Sequence, residues 1–346
     1  MRAVVFRGIG RVSVEEVPDP AIEHPADAVV RVTASGICGS DLHFYRGLVP
    51  LLPGETIGHQ AVGVVEKAGP GVERFKEGDR VVISVDIVCG HCWFCRRGQT
   101  SLCEDFRNLG AGTWGGSLGG AQAELVRVPV ADTNLLAIPA GVEDERALCV
   151  GDALTTGYYG AAIAGIDAGD TVAVIGAGPV GFFSVQAARL HRAGQVLVLD
   201  LEPDRLTRAE EVGGAPINVS ERNAQMAVHQ LTEGRGADVV MEAVGAVPAF
   251  ESAVEVVRRG GSVCILGMYS GQTVEMQLGV YWVRGIRLQF AGVTPVHAWW
   301  DRAMRAVAAG EIDPMPIISH RLPLAEAARG YELFDSRQAT QVVLKP

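Results

Sequence analysis

One stretch narrows the choice of fold more than any other part of the chain. Thr171-Val-Ala-Val-Ile175 is a continuous apolar run, and Gly176-Ala-Gly178-Pro179-Val180-Gly181 follows it. A helix-like segment then reaches His191, and Gln195 to Leu199 is a second apolar run closed by Asp200. Uninterrupted apolar runs bounded by turn residues read as strands buried on both faces. A lone glycine motif of this spacing is weak evidence, but here a strand precedes it, a helix follows it and an acid ends the next strand. Gly176 permits the tight turn, Gly178 lets the backbone approach a pyrophosphate, and Gly181 lets helix and strand pack closely. Pro179 lies in the loop and Val180 opens the helix, whose N-terminus offers free N–H groups to phosphate. Asp200 would accept hydrogen bonds from the adenosine ribose hydroxyls and repel a 2′-phosphate, so NAD is expected over NADP. Arg205 offers charge to the adenosine side but lies too far along to replace Asp200. The competing reading is a glycine-rich turn that binds another nucleotide, such as a methyl donor.

The segment Thr171 to Ala188 is uncharged and mostly apolar, but its glycines and proline form a phosphate-loop pattern, so a membrane-spanning helix is not expected. Met1 to Gly10 carries Arg2 and Arg7 without the apolar core of a secretory signal, and the expectation is a cytoplasmic protein. With 346 residues and 48% hydrophobic content the chain can build two domains with real cores. Its formal charge of −10 provides no basic field for a nucleic-acid backbone, and Arg96-Arg97 and Arg258-Arg259 read as solvated pairs.

Short, Val-rich runs fill the early chain: Ala3 to Phe6, Ala28 to Ala34, Ala61 to Glu66, Arg80 to Val85 and Ala123 to Pro129. Turns such as Gly69-Pro70-Gly71 and Glu77-Gly78-Asp79 separate them, the pattern of an antiparallel, barrel-like β domain. From residue 153 the rhythm changes to strands alternating with helices. Beyond the glycine motif, helices are expected at Pro203 to Val212, Asn223 to Thr232 and Val247 to Arg258. Strands are expected at Ala237 to Met241 and Ser262 to Leu266. Such alternation gives a parallel sheet covered on both faces, an α/β doubly wound domain. The tail carries a helix at Trp299 to Ala309 and an apolar run from Gln341 to Leu344, and is expected to return to the first domain. The boundaries are then 1–152 with 294–346 for the β domain and 153–293 for the dinucleotide-binding Rossmann domain.

Seven cysteines are present, and Cys89, Cys92, Cys95 and Cys103 cluster on one short segment. In a reducing compartment this argues for metal rather than disulfides, and four thiolates suit a tetrahedral, closed, structural zinc site. His91 lies inside the run but would displace a better-placed cysteine. A second constellation is scattered: Cys38 in Gly36-Ile-Cys38-Gly-Ser40-Asp41-Leu-His43, His59 in Gly58-His59-Gln60, and Asp152 in Cys149-Val-Gly151-Asp152-Ala-Leu-Thr-Thr156-Gly157. One thiolate, one neutral imidazole and one carboxylate would offset the charge of Zn²⁺ and leave its fourth position open. Singly, each has a plainer reading: a buried thiol, a hydrogen-bonded histidine, a helix cap.

Together these features resemble the zinc-containing medium-chain alcohol dehydrogenases over essentially the whole chain, most closely the branch related to formaldehyde dehydrogenases. The resemblance rests on Gly58-His59 with Gly63 and Gly69, the four-cysteine lobe and the Gly176-Ala-Gly-Pro-Val-Gly181 loop. It implies a GroES-like β-barrel catalytic domain with an inserted Rossmann domain. It implies two zinc ions per chain: a catalytic one on Cys38, His59 and Asp152, and a structural one on the four cysteines. Ser40 would hydrogen-bond the zinc-bound alcohol and His43 pass its proton outward through the cofactor ribose. Thr156 and Val180 match positions that back the nicotinamide, with Leu266 and Met268 on its other side. The family usually has Glu where this chain has Gln60; an amide holds its neighbours by hydrogen bonds but brings no negative charge to the metal. Cys149 competes with Asp152 for the third ligand, and Cys264 reads as core.

The expected activity is therefore reversible, NAD-linked hydride transfer from an alcohol through a zinc alkoxide, on a small-molecule alcohol or aldehyde. The alternatives are a polyol dehydrogenase, a formaldehyde dehydrogenase or dismutase of the same family, and a non-catalytic NAD-binding protein. Val85 and Trp114 are placed near the pocket by position alone. A homodimer or homotetramer is expected, with Ile286 to Ala291 as the strand pairing across subunits.

Overall fold

In the computed structural model, which describes residues 1–346, the chain opens on a hairpin of β1 (Arg2–Gly8) and β2 (Arg11–Glu16). β3 (Ala28–Ile37) follows, then the short helix α1 (Asp41–Tyr45), β4 (Gln60–Ala68), β5 (Arg80–Ile83) and β6 (Asp86–Ile87). Next come β7 (Arg107–Asn108), β8 (Leu125–Val128), the one-turn helix α2 (Ala131–Asn134), β9 (Leu135–Ala137) and α3 (Asp144–Ala147). The Val-rich alternation gives these strands a buried face: Val30, Val32, Val65, Val81, Ile83, Val126 and Leu135 form one core. β3 is the hub. One edge pairs with β4, and the other is shared, β8 taking Ala28 to Arg31 and a later strand taking Ser35 to Ile37. Irregularities at Val29/Val30 and Val32/Ala34 bend β3, as bulges do where a sheet curls.

After α4 (Ala153–Ile163) the chain alternates strand and helix. In order these are β10 (Thr171–Ile175), α5 (Pro179–Leu190), β11 (Gln195–Asp200), α6 (Pro203–Glu211), β12 (Ala215–Asn218), α7 (Ala224–Leu231) and β13 (Ala237–Glu242). Then follow α8 (Val247–Val256), β14 (Val257–Ile265), α9 (Leu278–Arg284) and β15 (Arg287–Phe290). The six strands form one parallel sheet in the order β12-β11-β10-β13-β14-β15, the doubly wound arrangement. All five residues of β10 are buried, which accounts for its unbroken apolar run.

The tail comprises α10 (Val296–Ala308), β16 (His320–Pro323), α11 (Ala327–Asp335) and β17 (Val342–Lys345). β17 pairs antiparallel with β3 and parallel with β16, so the last strand completes the first sheet. The chain divides into two compact units, Met1–Thr155 with Pro295–Pro346, and Thr156–Thr294. No helix is long and apolar enough to cross a membrane, and the apolar stretch from Thr171 is split between β10 and α5.

Two expected bounds shift. The helix from Val247 stops at Val256, and Val257 to Gly261 belong to β14, because Val257 pairs with Ala237 and Gly260 turns at φ +69°. The tail helix starts at Val296, since Pro295 sits at its N-cap and ends the extended chain before it.

Candidate active site

β3 and β4 bring two chemical groups together by register. Gly36 faces Gln60, so Cys38, just past the end of β3, and His59, just before β4, emerge at the same end of the pair. Glycine at 36 makes room for the amides beside it: a Cβ there would stand 2.4 Å from Gln60 Oε1 and displace that side chain. The third group arrives from the chain beyond β5, where Val85 N–H donates to Gly151 O at 3.1 Å and fixes Asp152 next door. Gly151 again allows the approach, since a Cβ would lie 2.3 Å from Ile83 O.

The donor atoms of Cys38, His59 and Asp152 all lie within 4.8 Å of one another. Cys38 Sγ is 3.2 Å from Asp152 Oδ2, and His59 Nε2 is 3.4 Å from the same oxygen. A tetrahedral ion with bonds of about 2.0–2.3 Å separates its ligand atoms by about 3.3–3.8 Å, so three donors of this kind at this spacing fit Zn²⁺. Cys149 is buried and its sulfur is not among the gathered donors. Gln60 Nε2 donates to Asp152 Oδ2 at 2.7 Å, which orients the carboxylate.

Ser40 Oγ sits 3.3 Å from Cys38 Sγ and 3.1 Å from His59 Nε2. His43, on α1, keeps a buried Nδ1 without a hydrogen-bond partner, and burial, then the Arg46 charge, lower its pKa below the usual imidazole value. Burial raises the Cys38 thiol pKa, and the Asp152 charge adds to it. For His59, burial opposes the charge, but Asp41 and the hydrogen bonds with Asp152 and Asp41 outweigh it and raise the pKa well above the ordinary value. For Asp152, burial also opposes the charge, and the bonds from His59, Gln60 and Cys38 hold its pKa below the ordinary carboxylate value.

The four-cysteine run folds into a second cluster, with all four sulfurs within 4.8 Å of one another and no disulfide. Cys103 and Cys89 sulfurs are 3.5 Å apart and Cys92 and Cys103 sulfurs 4.0 Å apart. A disulfide needs about 2.05 Å, whereas four thiolates around one zinc stand about 3.8 Å apart. Backbone N–H groups of Cys89, Cys92, Cys95 and Asp105 point at the sulfurs. Such donors stabilise thiolates: hydrogen bonding from Cys95 and Glu104 N–H lowers Cys92 to about 6. His91 turns its Nδ1 to Cys89 O at 2.9 Å and is not in the cluster.

In the second unit, Gly176 has φ +91° at the end of β10, and a Cβ on Gly181 would lie 1.8 Å from Gly176 O. Only glycine allows that contact of loop and helix. Pro179 is the first residue of α5, with Val180 next. Asp200, buried at the end of β11, accepts the Ala177 N–H at 2.6 Å and the Glu202 N–H at 2.9 Å. The Arg205 guanidinium stands 3.9 Å from where a Gly178 Cβ would be, so it lies over the glycine loop. Thr156 lies in α4; Leu266 packs over Gly160 of that helix, and Met268 is partly exposed beside Gly245.

Several residues of these sites carry no local motif. Asp41 binds His59 Nδ1 at 3.0 Å, and its position inside the Cys38 segment was the one available signal. Gln122 and Tyr331 reach Asp41 only through tertiary folding. Asp86 is buried with Oδ1 on Asn108 and Oδ2 unpartnered; burial, then the Asp152 charge, push it up to about 7. Glu242 takes the Val244 and Gly245 N–H groups and the Tyr269 hydroxyl. Trp114 is exposed, and Val85 neighbours Asp152 through Gly151.

Two family profiles match the chain: "Alcohol dehydrogenase GroES-like domain" over residues 24–140 and "Zinc-binding dehydrogenase" over residues 179–309. A zinc-type alcohol dehydrogenase-like protein of Bacillus subtilis (strain 168) is 37% identical over 381 residues, covering 100% of both chains. The structure of alcohol dehydrogenase TADH from Thermus sp. ATN1 superposes with a TM-score of 0.95 at 43% identity, covering 100% of this chain and 99% of that one. A zinc-binding dehydrogenase from Sinorhizobium meliloti 1021 bound to NADP superposes with a TM-score of 0.87 at 31% identity, covering 100% and 99%.

Proposed function

The chain belongs to the zinc-containing medium-chain alcohol dehydrogenase family, and on that premise we propose that it is a zinc-dependent, NAD-linked alcohol dehydrogenase. The observation that carries the proposal is the convergence of Cys38, His59 and Asp152, with Ser40 Oγ against two of them.

Cys38, His59 and Asp152 would hold one zinc, and Cys89, Cys92, Cys95 and Cys103 a second, structural one. When bound, the first zinc would supply the Lewis acidity that eases loss of an alcohol proton, and a nicotinamide the acceptor for the hydride. The rest is the work of the chain. One thiolate and one carboxylate bring two negative charges, matching a divalent cation with no net charge left in a buried site. Ser40 Oγ, beside the donors, would take the substrate's hydroxyl proton as it passes its own hydroxyl hydrogen outward. His43, kept neutral by burial, has an acceptor nitrogen for the next transfer outward. The loop Gly176 to Gly181 and the α5 N-terminus bind the pyrophosphate, with Arg205 adding charge over Gly178. Asp200 binds the adenosine ribose and disfavours the 2′-phosphate of NADP. Thr156, Val180, Leu266 and Met268 flank the nicotinamide.

Two copies would pair through the free edge of β15, where Phe290 is 65% exposed, and through α9, where Trp282 is 83% exposed. The cytoplasm suits seven free thiols.

The test is NADH formation by zinc-loaded protein with NAD across primary, benzylic and secondary alcohols, a polyol and hydrated formaldehyde. Turnover with one class is expected, together with its loss in Asp152→Ala along with one zinc per chain. Silence across the panel with both zincs bound, or full turnover in Asp152→Ala, overturns the reading.

A further inference from the structure

Behind His59 runs a buried chain of hydrogen bonds that ends on the C-terminal helix α11. His59 Nδ1 lies 3.0 Å from Asp41 Oδ1. Asp41 Oδ2 accepts the Cys38 N–H at 2.9 Å and Gln122 Nε2–H at 3.1 Å. The other hydrogen of that amide goes to Gly36 O at 3.0 Å, and Gln122 Oε1 accepts the Tyr331 hydroxyl at 2.9 Å. All four side chains are buried: Tyr331, Gln122, Asp41 and His59 expose 3% or less of their surface.

We infer that Tyr331 is a positioning residue for the His59 imidazole, acting through Gln122 and Asp41 to hold Nδ1 on Asp41 and turn Nε2 towards Asp152 and Cys38. The inference rests on the reading of His59 as a zinc ligand. Its logic is directional. Gly36 O can only accept, so the Gln122 amide must turn its NH₂ towards Gly36 and Asp41 and its oxygen towards α11. That oxygen then needs a donor, and the Tyr331 hydroxyl is the donor there. Every bond in the series points at Asp41, and donors in series polarise one another. With Oδ2 taken by the Cys38 and Gln122 N–H groups, the Asp41 carboxylate turns Oδ1 to His59 as an acceptor, and an acceptor there calls for the Nδ1–H tautomer.

The packing leaves no slack. Gln122 lies across the backbone before His59, where a Cβ on Gly58 would come within 2.3 Å of Gln122 Cγ. The Tyr331 ring is held against Tyr45, centroids 5.2 Å apart, in a core with Ile37, Leu42 and Ile57. Without its hydroxyl, Gln122 Oε1 is a buried acceptor with nothing to accept, and the amide and Asp41 must shift to relieve it.

The experiment follows zinc release from the purified, zinc-loaded protein into excess chelating indicator. In Tyr331→Phe one of the two zincs is expected to leave about ten-fold faster, the low end of what outer partners of metal ligands contribute. The other zinc should leave at the native rate. Leu333→Ala on the same helix removes packing but no member of the chain, and should lower the melting temperature without changing release. Native release in Tyr331→Phe, or equal acceleration in Leu333→Ala, overturns the inference. His59→Ala separates the two levels. If it keeps both zincs, the ligand reading falls and the inference with it; if it loses one while Tyr331→Phe releases normally, only the inference falls.

Discussion

Gly36 and Gln60 oppose each other across β3 and β4 so closely that a methyl group on Gly36 would stand 2.4 Å from the Gln60 amide oxygen. The same amide, through Nε2, holds Asp152 at 2.7 Å. One backbone pairing therefore fixes the spacing of Cys38 and His59 and the orientation of the third donor.

Gly36→Ala should push Gln60 off Asp152. Overpacking of this kind costs about 1–3 kcal/mol, and a zinc held by Cys38, His59 and Asp152 as proposed should be lost more readily. Urea unfolding with zinc analysis tests it; native stability and zinc content would refute the steric argument.

On the proposed cofactor reading, Asp200→Asn would remove the charge that disfavours a 2′-phosphate. Hydrogen bonds to charged groups contribute about 1.5–3 kcal/mol, so KM for NAD should rise about ten-fold or more while that for NADP falls. Steady-state kinetics with both cofactors decide; an unchanged ratio would remove Asp200 from the ribose site.

Cys95→Ser should cost one zinc per chain and lower the melting temperature, since three thiolates and a weaker oxygen ligand hold zinc poorly. Metal analysis of the purified variant is the readout, and retention of both zincs at native melting temperature would argue against a structural site.

His297 provides a pH signature. Burial lowers its pKa to about 4, with Nε2 on Asn134 and Nδ1 unpartnered. The unfolded chain binds this proton below about 6.5 and the folded chain only below about 4. Stability therefore falls as pH drops through that window, by up to about 3 kcal/mol. His297→Gln should flatten this part of the profile in denaturant titrations from pH 7 to pH 4; a superimposable profile would contradict it.

What the sequence made legible was local. The strand, glycine turn, helix and Asp200 are contiguous, so β10, α5 and β11 could be read from period and turn chemistry. The four cysteines announce themselves by spacing. Cys38, His59 and Asp152 became a set only through a family resemblance, because their meeting depends on the Gly36–Gln60 register and the Val85–Gly151 bond. β12 and β16 are four-residue strands too short to stand out. Tyr331 had no signal at all: its tie to Gln122 spans 209 residues, and nothing around either residue anticipates the other.

The sharing of the β3 edge bears on how the molecule comes into being. Ser35 to Ile37, the segment leading into Cys38, pairs with Val342 to Leu344, residues made almost a whole chain later. A growing polypeptide thus carries Cys38 and His59 early but leaves the strand beside them open until Val342 to Leu344 have emerged. Until that pairing forms, the segment leading into Cys38 is an open sheet edge, the kind of edge to which another strand can add.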